Sequence, residues 1–235
     1  MPSEAVSKQP QQGEYKEPPT LYTGPDTYAK IIAFFVNWRS RLPGWRTDTM
    51  GVLTTSEREG VILLEAALAG IGDRRLRKLF NKHLVDERRH TAGFHALFDK
   101  LQIRDGKTPQ APPTARPMAK KMSLIELIAY LEVQELRGEQ LMRVYRTLFA
   151  GDEEATGFID SVLRDEKFHA TYTHLQLERW IEEGLGDEVR RARSEARAVD
   201  RQAFWAQVFR FLRVMPRLIR AGHPPPLFRR TPAPM

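Results

Sequence analysis

The sequence predicts an all-α protein: a four-helix bundle with one long crossover, carrying extra helices at both ends. Three observations predict it. No strand-like alternation of apolar and polar residues persists anywhere along the 235 residues. Four long segments repeat apolar residues at helical spacing, joined by two short turns and one Pro-rich connection. Two of these segments carry the same short motif, Asp86-Glu87-Arg88-Arg89-His90 and Asp165-Glu166-Lys167-Phe168-His169.

A hydrophobic content of 41% in this length supports one substantial core, hence a single domain with appendages. There is no cysteine, which excludes disulfides, zinc fingers, iron–sulfur clusters and a rubredoxin-type iron site. Glu4, Gln9 and Pro10 stand where a signal peptide would need an apolar run, so a cytoplasmic protein is expected. No uninterrupted apolar run reaches the ~18 residues that span a bilayer. The net charge is +7, and residues 201–235 hold seven arginines with no Lys, Asp or Glu. That segment accounts for the whole excess and leaves residues 1–200 formally neutral, which argues against a nucleic-acid partner.

Residues 1–25, rich in Pro, Gln, Glu and Lys, read as a disordered leader. An N-terminal unit follows over 26–49: Asp26 can cap a helix running to about Arg41, which Pro43-Gly44 stops. The bundle occupies 50–184. Its first helix is expected after Thr54-Thr55-Ser56, with Ser56 as cap, and runs to about Gly70. The short turn at Gly70-Ile71-Gly72-Asp73 makes the second helix, about 73–102, an antiparallel neighbour. Pro109, Pro112, Pro113 and Pro117 keep the next twenty or so residues out of helix. Ser123 caps the third helix, with Glu126 at the capping-box position, and it runs to about Ala150. Gly151-Asp152 turns the chain into the fourth, which runs to about Gly184. Two short hairpins joined by one connection long enough to run the bundle's length is the ferritin-like arrangement. Residues 185–235 are expected to form a charged helix (about 186–200), a basic amphipathic one (about 202–221) and a Pro-rich end.

Each motif places a carboxylate and an imidazole three residues apart, so both leave the same helix face. Two such helices can close around two adjacent metal ions, with two further helices supplying a carboxylate each. Counted at about 100° per residue, Glu57 lies in mid-stripe among Met50, Leu53, Val61, Leu64 and Leu68. Glu87 shares its stripe with Leu76, Phe80, His83, Leu84, His90 and Phe94. Glu135 centres the stripe of Leu124, Ile128, Leu131, Met142 and Phe149, with Gly138 alongside, and Glu166 and His169 share a face with Ile159, Val162 and Leu177. Counted from the two turns, all four glutamates arrive at one height to within about one helical turn. Four buried carboxylates converging on one core need compensating cations. The expected metal ligands are therefore Glu57, Glu87, His90, Glu135, Glu166 and His169. Glu132, about 80° off the stripe centre, is a possible additional ligand. His83, one turn before Glu87 on the buried face, reads as a core histidine, with a role in the site as the alternative, and His95 and His174 read as surface or packing residues.

On these residues the chain resembles the ferritin-like di-iron carboxylate superfamily over roughly residues 50–184. A histidine in both motifs is more similar to bacterioferritin, rubrerythrin and oxygenase members than to animal ferritins. Glu132 and Glu135 form a Glu-x-x-Glu that resembles the extra, shifting carboxylate of rubrerythrins. The resemblance implies a cofactor of two Fe ions, or Mn or mixed Mn/Fe, and an oxidoreductase that activates O2 on an unidentified, apolar substrate. The alternatives are a rubrerythrin-like peroxidase or iron-oxidising protein, and a metal-binding protein without turnover. It further implies that Asp86 and Asp165 accept the N–H of a metal-bound histidine. With no cysteine-bound iron in the chain, electrons would come from a partner protein or from the substrate; a homodimer is also compatible with the superfamily.

In the C-terminal helix, Arg210, Arg213, Arg217 and Arg220 recur at three- and four-residue steps beside Trp205, Phe211, Leu212, Leu218 and Ile219. This composition suits either docking of the apolar face on the bundle or on the Ile31–Trp38 helix, or a peripheral membrane contact through residues 202–221.

Overall fold

Along the chain the helices are α1 (Asp26–Arg39), α2 (Trp45–Leu68), α3 (Arg74–Arg104), α4 (Leu124–Leu148), α5 (Glu153–Trp180) and α6 (Gly186–Arg220). The computed structural model describes residues 26–104, 122–220 and 222, without the side chains of 26–29, 210, 214, 217 and 218. The leader, the Pro-rich connection (105–121) and the Pro-rich end lie outside the described residues, as does the side chain of Asp26, the expected cap. Among the described residues there is no strand, and no helix is long and apolar enough to cross a membrane. The protein is an all-α bundle.

Helix ends follow local chemistry. Ser123 and Glu126 form the expected capping box: Glu126 N donates to Ser123 Oγ, and Ser123 N donates to Glu126 Oε2 at 2.7 Å. Asp152 caps α5 through Ala155 N, and Asp73 caps α3 through Leu76 N. The start of α2 departs from expectation. The helix begins at Trp45, directly after Gly44, so Ser56 is an interior residue and not a cap. Thr54 and Thr55 fit inside because their hydroxyls donate to the carbonyls of Met50 and Gly51 one turn back.

The C-terminal region departs too. The expected charged and basic helices are one continuous helix, α6, with Pro216 inside it. Nothing breaks it near residue 201, because Asp200 is buried against Arg137 of α4, with Arg137 Nε 3.1 Å from Asp200 Oδ1. α5 ends at Trp180, and a wider turn over Ile181–Leu185 leads into α6; Gly184 takes φ 93° there, which a side chain would resist.

α2 packs on α3 and α4 on α5 as two antiparallel hairpins. Pairs from Lys100–Glu154 through Arg89–Asp165 to Arg179–Asp73 show α3 and α5 running antiparallel. The end of α3 and the start of α4 therefore lie at opposite ends of the bundle. α6 runs parallel to α4, held by Arg193–Glu132 and Arg137–Asp200, and α1 lies against its far half through Phe35–Phe211 and Trp38–Phe211 ring contacts.

The apolar core is in two parts. One contains Leu64, Leu76, Phe80, Leu84, Ile128, Leu131 and Leu177. The other contains Met50, Leu53, Phe94, Phe98, Met142, Phe149, Ile159 and Val162. Each such side chain contributes about 1.5–3 kcal/mol by leaving water. On every bundle helix the break between the two parts falls at the glutamate: Glu57, Glu87, Glu135 and Glu166.

Candidate metal centre

The polar layer between the two cores holds two buried groups of side chains that could each bind a metal ion. One is Glu57, Glu87, His90 and Glu166; the other is His83, Glu87, Glu135 and His169. Within each group the ligand atoms lie within 4.8 Å of one another, and Glu87 belongs to both. All six residues expected as ligands from the sequence are among these seven.

The histidines are oriented crosswise. His169 Nε2 of α5 lies 3.2 Å from Asp86 Oδ2 of α3, and His90 Nε2 of α3 lies 3.1 Å from Asp165 Oδ2 of α5. Asp86 is itself held by Lys82 Nζ at 2.6 Å, and Asp165 by Arg89. With Nε2 donating to an aspartate, each neutral ring turns an Nδ1 lone pair inward. Both Nδ1 atoms are buried and make no hydrogen bond. His90 Nδ1 faces Glu57 at 3.5 Å and Glu87 and Glu166 at 3.9 Å, and His169 Nδ1 faces Glu135 at 3.4 Å and Glu87 at 3.7 Å. Buried polar atoms are rarely left without a partner, and two inward imidazole lone pairs among carboxylates form a donor set for cations.

Two glycines make the close approach possible. A Cβ on Gly60 would stand 3.2 Å from Glu87 Oε2, and one on Gly138 would stand 3.3 Å from Glu166 Oε2. Each is three residues after a glutamate of its own helix, Glu57 or Glu135, so the spacing Glu-x-x-Gly repeats on α2 and α4. That repeat is a sequence signal for which helix face the neighbouring carboxylate occupies.

Electrostatics separates Glu135 from Glu87 and Glu166. Burial, then the nearby carboxylates Glu57 and Glu135, pushes Glu87 well above the usual carboxylate range. Burial, then Glu135, does the same to Glu166. Burial would also raise Glu135, but the imidazoles of His83 and His169 outweigh it and hold Glu135 well below. Burial likewise opposes the charged form of His169, yet Asp86 and Glu135 raise its pKa above the ordinary value. Without cations, Glu87, Glu166 and His169 thus hold their protons to higher pH than ordinary carboxyls or an ordinary imidazole, and cations would displace them.

His83 belongs to the centre and is not merely a core residue. Its Nε2 is 3.1 Å from Glu87 and 3.3 Å from Glu135, its ring stacks on His169 at 3.6 Å, and its Nδ1 lies 2.7 Å from the Tyr172 hydroxyl. Burial lowers its pKa and favours the neutral ring. The matching position on α5, four residues before Glu166, is Val162, so the two halves of the centre are not equivalent. A single histidine on an apolar face gave no sequence signal beyond its place one turn before Glu87.

Glu132 is placed elsewhere. It is buried one turn from Glu135, but its oxygens receive Arg193 Nη2 at 2.8 Å and Arg193 Nε at 2.9 Å, with His174 Nδ1 at 2.9 Å. Burial opposes its charge, and His174 and Arg193 overcome that and lower its pKa. Both carboxylate oxygens therefore serve an α4–α5–α6 ion cluster instead of a metal group. His174 is a buried member of that cluster, and His95 sits beside Asp99 at 3.7 Å. A cavity of about 670 Å³ between α1, α2, α4 and α6 includes Tyr130, Gln134, Leu141 and Tyr145 on another face of α4, and none of the seven clustered residues. No protein-family model, no curated protein and no solved structure matches this chain.

Proposed function

We propose that the chain is a ferritin-like di-iron carboxylate oxidoreductase that activates O2 on an unidentified, apolar substrate. The observation that carries this reading is the pair of unpartnered Nδ1 atoms, His90 and His169, facing carboxylates that share Glu87. In this reading His90, Glu57, Glu87 and Glu166 hold one metal, and His169, Glu135, Glu87 and His83 face the other. Iron held by these residues would supply the two electrons needed to reduce O2 or peroxide. Asp86 and Asp165 keep the Nε2 protons of His169 and His90 and so hold each Nδ1 ready as a donor. Glu87 and Glu166 would give up their protons to solvent on binding cations. The apolar layers on either side, with Leu84, Leu131, Phe94 and Ile159, keep water from the centre.

Electrons for further turnovers come from a partner protein or from the substrate, since the chain holds no cysteine-bound iron. The engagement of Glu132 with Arg193 favours the O2-activating reading over the rubrerythrin-like peroxidase, which relies on a mobile extra carboxylate. The test is to load the protein anaerobically with Fe(II), then mix it with O2 or with hydrogen peroxide and follow iron oxidation. Faster oxidation by O2 than by peroxide, abolished in Glu87→Gln, supports the proposal. Faster oxidation by peroxide supports the peroxidase, and rates equal to those of free Fe(II) remove both.

A further inference from the structure

Helix α6 has two apolar faces, and only one of them is covered. Phe204 and Val208 are buried against the bundle, and Phe211 packs on Phe35 and Trp38 of α1. On the outward side Trp205, Phe209, Leu212 and Ile219 are 45%, 59%, 40% and 43% exposed. At about 100° per residue these four fall within some 80° of one another, with Pro216 among them, in a stripe about 21 Å long. Among the described side chains, docking on the bundle and on α1 leaves these four outward.

We propose that this outward face of α6 lies on an anionic lipid surface. Charge selects the occupant. Arg201, Arg213 and Arg220 are exposed on the same helix, and residues 201–235 contain no Asp or Glu. A protein partner would ordinarily meet charges of both signs around such a stripe, whereas an anionic lipid surface needs cations alone. Large aromatic side chains beside arginines are what the boundary between headgroups and acyl chains accommodates, to a depth of about 5–10 Å. Geometry agrees. α6 runs beside α4 from Arg193–Glu132 to Arg137–Asp200, at offsets of 61 and 63 residues, and α4 ends at Leu148. At those offsets α6 passes the end of α4 near residues 209–211, so its last turns extend beyond α4.

The test is flotation of the full-length protein with phosphatidylcholine vesicles, with and without phosphatidylserine. The protein should float with the anionic vesicles and stay at the bottom with the neutral ones. Trp205→Glu/Phe209→Glu should abolish flotation. Arg213→Gln/Arg220→Gln should weaken it about twenty-five-fold, at roughly fivefold for each charge removed. Because these side chains are exposed, circular dichroism should be unchanged in all variants. Trp205→Phe should float normally yet lose the quenching of tryptophan fluorescence by brominated lipid, which places the face itself in the bilayer. Three results would overturn the proposal: full-length protein at the bottom with both vesicles, flotation indifferent to the glutamate variants, or a lipid-free dimer that Trp205→Glu/Phe209→Glu converts to monomer.

Discussion

Asp86 of α3 holds His169 of α5, not the histidine of its own helix, with 3.2 Å between Oδ2 and Nε2. Asp165 reciprocates at 3.1 Å from His90. Each motif therefore orients the other motif's donor, and the centre exists only when α3 and α5 are in register. Asp86→Asn should impair His169 and leave His90 oriented. The expected loss of metal affinity is about 10- to 100-fold, measured by competition with a chelator. An equal loss at both metal positions would show that the aspartate does not act through His169.

Glu87→Gln should separate stability from binding. The amide copies the protonated acid, so it removes a buried charge beside Glu57 and Glu135. The metal-free variant should gain on the order of 1 kcal/mol against urea at alkaline pH while losing both metals, because Glu87 belongs to both groups. A destabilised variant, or one that retains metal, would contradict the arrangement.

pH gives an independent check. Glu87 and Glu166 are raised well above the ordinary 4.5 by burial and neighbouring carboxylates. A carboxyl raised in the folded state contributes stability below its unfolded pKa and loses it as pH rises through the folded value. His169 acts in the same direction above its ordinary 6.5, because Asp86 and Glu135 outweigh burial and raise it. His83, lowered by burial, acts the opposite way but only up to that same value. The metal-free protein should therefore lose stability as pH rises above about 6.5, and the gain in Tm on adding Mn(II) should grow over the same range. Flat Tm curves would rule out the retained protons.

His83 makes the halves unequal, since Val162 stands at its counterpart. His83→Gln should weaken one metal by tenfold or more and spare the other, turning a Mn(II) titration distinctly biphasic. Uniform weakening of both would assign His83 to packing.

Much of this centre was legible in the sequence because it depends on angle and height along single helices. Glu57, Glu87, Glu135 and Glu166 sit in mid-stripe and equidistant from the turns, and the structure brings them together. Partners chosen across helices were not legible. Glu132 lies 80° from the stripe by about the same reckoning that places Glu135 at its centre. Only the packing of α6 reveals Arg193, sixty-one residues away, as its partner. The early start of α2 was hidden because Thr54, Thr55 and Ser56 have the composition of a cap, yet the two threonines bond one turn back. The unbroken α6 was hidden because Asp200 looks like a surface break until Arg137 buries it.

Two metal ions between the four bundle helices, sharing Glu87, should be countable by anaerobic equilibrium dialysis against excess Fe(II) with metal measured per chain. Two ions are expected in the wild type, and a loss of both in Glu87→Gln. Well under two in the wild type, or two retained in the variant, would contradict the shared centre.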